Sequence, residues 1–174
     1  GKGQQWDGSI DRIDSEKGTM IFSVTQNGNH YGQFESIMVG EHNLYNQVAI
    51  VAAMDFNGLT AAEMAPGFET FKGIKRRQEI VDTAHEVTVI DDFAHHPTAV
   101  KLTLEALKMR FGGRRLWAIF EPRSATSRRN TLQPDYEVAF GAADLVVIAP
   151  AFNQTNIPLA ERLDVNSLTE GICD

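Results

Sequence analysis

Three short apolar runs, at residues 87–90, 116–120 and 145–149, limit what this chain can fold into more than any other feature. None alternates with polar residues, and each leads into a polar loop. Strands that are apolar on both sides are buried on both faces, as parallel strands are. Pro97 opens a helix after the first run, where its missing N–H would be unsatisfied anyway. Val100, Leu104, Leu107 and Phe111 mark one face of that helix before Gly112-Gly113. A helical stretch carrying Tyr136, Phe140 and Ala143 separates the second run from the third, and a last helix starts near a cap at Asn166 or Ser167. Strand, helix, strand, helix, strand at this spacing predicts an α/β fold: a Rossmann-like, doubly wound domain with a mainly parallel sheet.

The residues before this follow other rules. Trp6, Ile10 and Ile13 stand in a mixed run, and Met20, Phe22 and Val24 alternate with Ile21, Ser23 and Thr25. Asn27-Gly28-Asn29 is turn chemistry, because Asn and Gly tolerate positive φ. With a further strand over 31–39, the first forty residues predict an antiparallel β meander. From Gly40 the period becomes helical through Leu44, Val48, Val51 and Ala52, until Asn57-Gly58. A short second helix starts at Thr60, completes a capping box with Glu63 and ends before Pro66-Gly67. That pair is the strongest boundary signal, so domains at 1–66 and 67–174 are expected, the second one truncated.

Composition narrows the partners. A net charge of -7, from 16 basic and 23 acidic residues, argues against nucleic-acid binding. The single cysteine, Cys173, cannot form an internal disulfide, which points to a reducing cytoplasm. No apolar run approaches the ~20 residues of a membrane span. The opening Gly-Lys-Gly-Gln-Gln-Trp is neither a signal peptide nor, without Met, a natural start, so an excised piece is expected.

Ligands of open α/β sheets bind beyond the carboxyl ends of the strands. Arg123, Arg128 and Arg129 crowd one such loop, where guanidinium forks suit an anionic substrate; a solvated surface loop is the alternative. Asp92 suits ribose hydroxyls or a turn. His95 and His96 are adjacent on an extended segment and point apart, and no partner stands at ligand spacing, so no metal site is expected. Helix capping or a hydrogen bond to a ligand fits them better. His42 and Asn46 share a helix face, where an Asn amide could read adenine or merely cap. No GxxxxGK[ST], GxGxxG or GxSxG string occurs, which disfavours a self-contained nucleotide or serine hydrolase.

Four strings nevertheless fall in a familiar order: Gly40-Glu41-His42-Asn43 with Asn46, Phe71-Lys72-Gly73 with Arg76-Arg77, Asp91-Asp92-Phe93-Ala94-His95-His96-Pro97, and Phe120-Glu121-Pro122-Arg123. Together they resemble the Mur ligases, cytoplasmic ATP-dependent enzymes that build peptidoglycan precursors. The aspartate–histidine string resembles the branch acting on UDP-N-acetylmuramate. The arginine loop is most similar to members that join a recycled murein tripeptide, L-Ala-γ-D-Glu-meso-diaminopimelate, to that nucleotide sugar. The alanine-adding members are a close alternative, and a nucleotide-binding module without chemistry is an alternative of another class.

The resemblance implies three domains, of which this chain holds the end of the central ATPase domain, to about Pro66, and most of the C-terminal domain. It implies ATP and Mg²⁺ as cofactors and an acyl-phosphate intermediate attacked by the acceptor amine. His42, Asn43 and Asn46 then correspond to adenine-binding residues, Arg76 or Arg77 to the arginine reaching the nucleotide phosphates, and Asp92 to the ribose-binding aspartate. His95 and His96 stand beside the reaction centre, and Arg123, Arg128 and Arg129 hold the acceptor's carboxylates. The phosphate loop, a carbamylated lysine and the Mg²⁺ carboxylates belong to missing segments of the same chain, so these 174 residues alone are expected to be inactive.

Overall fold

The computed structural model describes residues 5–173; the unusual starting residues 1–4 and Asp174 lie outside them. Two compact units result: residues up to Asp91 with Met109–Gly112, and Asp92–Lys108 with the residues from Gly113 onward. The fold class is α/β as expected, and among the described residues no helix is long and apolar enough to cross a membrane.

In the first unit β1 (Trp6–Asp14), β2 (Thr19–Gln26) and β3 (Asn29–Ser36) form the predicted antiparallel meander. The alternation in β2 turns Met20, Phe22 and Val24 into the core. Asn27 and Gly28, at φ 51° and 81°, join β2 to β3 between the paired Gln26 and Asn29. Both central residues of a type I′ turn need positive φ, and this pair supplies it cheaply. β3 stops at Ser36, short of the expected 39, because the Ser36 hydroxyl accepts from Met38 N (3.1 Å) and turns the chain.

Two helices, α1 (Glu41–Phe56) and α2 (Ala61–Thr70), pack Leu44, Val48, Val51 and Met64 into the same core. The helices approach the sheet where it has no side chains. A Cβ on Gly8 would lie 2.5 Å from Val48 Cγ2, and one on Gly32 2.8 Å from Ala61 Cβ.

The Thr60–Glu63 capping box forms as read, but α2 does not end before Pro66-Gly67. It runs on to Thr70, although Pro66 cannot donate to the Ala62 carbonyl. Phe68 outweighs that loss. Its ring lies 5.8 Å from Phe22 and 5.0 Å from Phe34, and such aromatic pairs contribute about 0.5–1.5 kcal/mol each beyond burial. The expected break at Pro66-Gly67 is thus inside a helix, and the compact units part at Asp91.

The first apolar run also departs from expectation. β5 (Val87–Asp91) pairs antiparallel with β4 (Glu79–Ala84) instead of entering a parallel sheet. His85 and Glu86, at φ 49° and 66°, make the two-residue turn between Ala84 and Val87. Neither residue signals such a turn, so the hairpin was invisible in the sequence.

In the second unit β6 (Trp117–Phe120) and β7 (Leu145–Ile148) pair in parallel, as expected for these two runs. Their inner face, with Ala118 and Phe120, packs against Val100 and Leu104 of α3 (Pro97–Arg110), Tyr136 of α4 (Gln133–Ala139) and Leu168 of α5 (Val165–Cys173). Trp117 and Ile119 on the other face are 54% and 76% exposed, so burial on both faces is not met in this chain. α4 is shorter than expected: Phe140 follows its last residue but stays buried in the same cluster. The α5 cap is neither Asn166 nor Ser167 but Asp164, whose Oδ1 accepts from both their amides at 3.0 and 3.2 Å.

The α2 packing sets a first expectation. Pro66 is exposed, and Pro66→Ala restores an i→i−4 bond, so it should stabilise the chain by about 1–3 kcal/mol in denaturant melts. An unchanged midpoint would mean that the helix is already relaxed around the proline.

Candidate functional site

Parallel pairing aligns the ends of β6 and β7, with Phe120 opposite Ile148. The chain segments leaving them stay paired: Ala149 N donates to Phe120 O and Phe152 N to Pro122 O, both at 2.9 Å. The arginine loop and the loop after β7 therefore run side by side. Arg128 sews them together, with Nε donating to Ser124 O (3.2 Å) and Nη1 to Phe152 O (3.3 Å) and Asn153 O (2.5 Å). Gln154 returns the bond, its Nε2 donating to Arg128 O at 2.8 Å and Leu163 O at 3.2 Å. Arg129 pairs with Glu161. Beneath them, the fully buried Ser127 exchanges hydroxyl and amide bonds with Ser124.

Arg123 behaves differently. Its guanidinium is exposed, 4.3 Å above the Phe152 ring and 3.5 Å from Glu121 Oε2. A guanidinium lying on a ring face keeps its in-plane N–H fork available at the edge. Of the three sequence-predicted arginines, Arg123 presents donors outward, while Arg128 and Arg129 brace the loops.

The loop after β5 carries Asp92, His95 and His96. Asp92 Oδ1 accepts from Ala94 N (2.7 Å) and Thr103 Oγ1 (3.5 Å), so it shapes the turn. His95 Nδ1 lies 2.9 Å from Phe93 O. A carbonyl only accepts, so in the neutral ring Nδ1 carries the hydrogen and Nε2 keeps a lone pair. His96 has the other tautomer, with Nδ1 facing Thr98 N at 3.4 Å while its carbonyl accepts from Val100 N at 2.9 Å. His96 thus caps α3. The Tyr136 hydroxyl donates to the His95 carbonyl and fixes the loop. Burial pushes the Tyr136 phenol up to about 12, partly offset by Ser127.

The remaining predicted residues belong to the first unit. His42, Asn43 and Asn46 sit on the opening turns of α1. Asn43 is buried and its Nδ2 donates to Val39 O (2.9 Å), while Gln47 Nε2 donates to Met38 O (3.2 Å) and Asn43 O (3.1 Å). The Asn43 donor therefore supports the helix entry, whereas the Asn46 amide is exposed. Arg76 donates its amide to Glu79 Oε2 (2.8 Å) and pairs at 3.4 Å with Asp91, and Arg77 bridges back to Ile74. No group of three His, Cys, Asp or Glu able to hold a metal occurs among the described residues.

Sequence reasoning missed Gln154, Phe152 and Tyr136 as parts of this site. Gln154 and Phe152 stood inside a loop already marked as polar and strand-terminal, whereas Tyr136 read as helix core and nothing announced its hydroxyl.

Residues 76–164 match the family described as Mur ligase, glutamate ligase domain, more than half of the chain. The chain belongs to the Mur ligase family. It is 37% identical over 166 residues to the UDP-N-acetylmuramate--L-alanine ligase of Microcystis aeruginosa, covering 94% of this chain and 33% of that protein. It is 38% identical over 128 residues to the UDP-N-acetylmuramate--L-alanyl-gamma-D-glutamyl-meso-2,6-diaminoheptandioate ligase of Escherichia coli, covering 73% and 28%. Among solved structures, the UDP-N-acetylmuramate-alanine ligase of Thermotoga maritima shares the fold at a TM-score of 0.75 and 23% identity, over 99% of this chain and 36% of that one. A murein peptide ligase of Psychrobacter arcticus is 30% identical at a TM-score of 0.52, over 97% and 32%. The chain spans about a third of the length of the curated relatives it matches.

Tyr136 gives a pH expectation. A folded-state phenol raised above its ordinary 10.0 contributes stability that is whole below pH 10 and lost as pH rises through about 12. Tyr136→Phe should cost about 1–2 kcal/mol at neutral pH and flatten the alkaline decline in denaturant melts. An unaltered decline would assign that titration to another group.

Proposed function

We propose that this chain is part of an ATP-dependent, ADP-forming ligase that joins L-Ala-γ-D-Glu-meso-diaminopimelate to UDP-N-acetylmuramate in peptidoglycan recycling. In this reading its first part is the end of a central ATPase domain and the rest most of the C-terminal domain. We place the junction after α2 rather than at residues 66–67; the continuity of that helix through Pro66-Gly67 supports this. The observation that carries the reading is Arg123, held outward over Phe152 on a loop braced by Arg128, Arg129 and Gln154. A peptide acceptor with several carboxylates asks for such a bidentate donor on a rigid support.

ATP supplies the phosphoryl group that turns the muramyl carboxylate into an electrophile. His42, Asn46, Arg76 or Arg77, and Asp92 are the residues of this chain proposed to hold it, with Asn43 shaping the helix they use. His95 Nε2, with its lone pair, accepts the proton released by the attacking amine. His96, as the cap of α3, positions that loop. Nucleotide substrates of this kind place the enzyme in the cytoplasm.

The names of the relatives favour a second reading, in which L-alanine is the acceptor. Phosphate release by the intact protein, given ATP, Mg²⁺, UDP-N-acetylmuramate and either acceptor, separates the two. Turnover with tripeptide is expected; turnover with alanine alone supports the second reading, and turnover with neither overturns both. Arg123→Ala should raise the tripeptide KM about 10- to 150-fold and leave the ATP KM nearly unchanged, with Arg123→Lys recovering part. Arg128→Ala and Arg129→Ala should raise it too and also lower the Tm, since those side chains hold the loops. A raised KM for ATP with the tripeptide untouched would make the loop a phosphate clamp.

A further inference from the structure

Tyr136 is fully buried on α4, its ring 5.4 Å from Phe120 and in one cluster with Phe140 and Leu168. Phenylalanine would fill that space as well, and a hydroxyl among apolar rings costs free energy unless it is bonded. What justifies the hydroxyl lies outside α4, in two different loops of the second unit. It donates to the His95 carbonyl in the loop after β5, and it meets the hydroxyl of Ser127 in the arginine loop.

A carbonyl only accepts, so the phenol hydrogen goes to His95 O and the phenol oxygen is left to take the Ser127 hydrogen. Ser127 is fully buried too, and its Oγ accepts from Ser124 Oγ at 2.8 Å and Ser124 N at 3.0 Å. The hydroxyls of Ser124, Ser127 and Tyr136 and the His95 carbonyl thus form one directed chain, in which each bond polarises the next. One end is built into the loop that presents Arg123 and is braced by Arg128. The other holds the backbone of His95, whose ring is oriented within its own loop by the Phe93 carbonyl, 2.9 Å from Nδ1, and the Phe93 ring, 4.9 Å away. Phe93 sets which way His95 Nε2 points, and Tyr136 sets where the loop carrying it stands against the arginine loop.

We infer that Tyr136 is a positioning residue for the ligation: its hydroxyl locks the histidine loop to the arginine loop, so that an acceptor carboxylate held by Arg123 brings the acceptor's amine to His95 Nε2 at one fixed spacing. The inference rests on the ligase reading for what the two loops hold, whereas the lock itself is independent of turnover.

Amide hydrogen exchange of the 174-residue chain reads the lock, at Ala94 N, bonded to Asp92 Oδ1, and at Arg129 N, bonded to Thr126 O. Ser127→Ala changes only the arginine loop, yet it should speed exchange at Ala94 about five- to tenfold, the effect of one lost hydrogen bond. Tyr136→Phe should speed exchange at both amides, and the double variant should add nothing to it. In the intact protein Tyr136→Phe should lower kcat with tripeptide about 10- to 100-fold and leave KM for ATP and tripeptide nearly unchanged, because the binding groups stay and their spacing is lost. Both constants are read far below the melting temperature, where a merely structural hydroxyl would leave kcat alone. Ser127→Ala should reproduce part of the kcat loss and carries the test if Tyr136→Phe does not fold. Exchange at Ala94 unaltered by Ser127→Ala, or a kcat unchanged in both variants, overturns the inference. Coupled exchange in a protein that turns over neither acceptor supports the lock and counts only against the ligase reading.

Discussion

Parallel pairing of β6 with β7 is the constraint on which the second unit depends. Parallel strands leave a sheet at the same edge, so the segments following Phe120 and Ile148 must meet there. Meeting segments carry backbone carbonyls that need donors, and Arg128 and Gln154 provide them from opposite sides. The charge density of the arginine loop therefore serves in large part to brace the loops. Arg128 and Arg129 tie segments far apart in the chain, and that rigidity lets Arg123, paired only with the nearby Glu121, be presented on an aromatic shelf.

The same division of labour appears at the two histidines. Adjacent imidazoles bind different neighbours, a carbonyl for His95 and an amide for His96, so one ring exposes an acceptor and the other closes a helix. A buried tyrosine hydroxyl holds the loop between them. Two adjacent rings thus differ only in what their ring nitrogens face.

In the first unit the limiting dimension is the distance between the sheet and its helices. Gly8 and Gly32 remove the side chains that would hold them apart, and the aromatic cluster of Phe22, Phe34 and Phe68 fills what remains. That cluster is strong enough to carry a helix through a proline. Local preference there lost to packing, because one forgone hydrogen bond costs less than withdrawing a ring from the core.

Sequence by itself determined whatever depends on neighbours within one turn or one strand: the β2 alternation, the Asn27-Gly28 turn, the Thr60–Glu63 capping box, the Pro97 helix start and the three apolar runs. It also carried the ordered motifs that place the chain among the Mur ligases. Tertiary structure alone decided which strands pair, since an apolar run is equally content beside a parallel or an antiparallel neighbour, and the His85-Glu86 hairpin settled it for β5 with residues that advertise no turn. It alone decided which arginine faces outward, because charge type is written in the chain whereas the partners that neutralise it arrive from residues far apart.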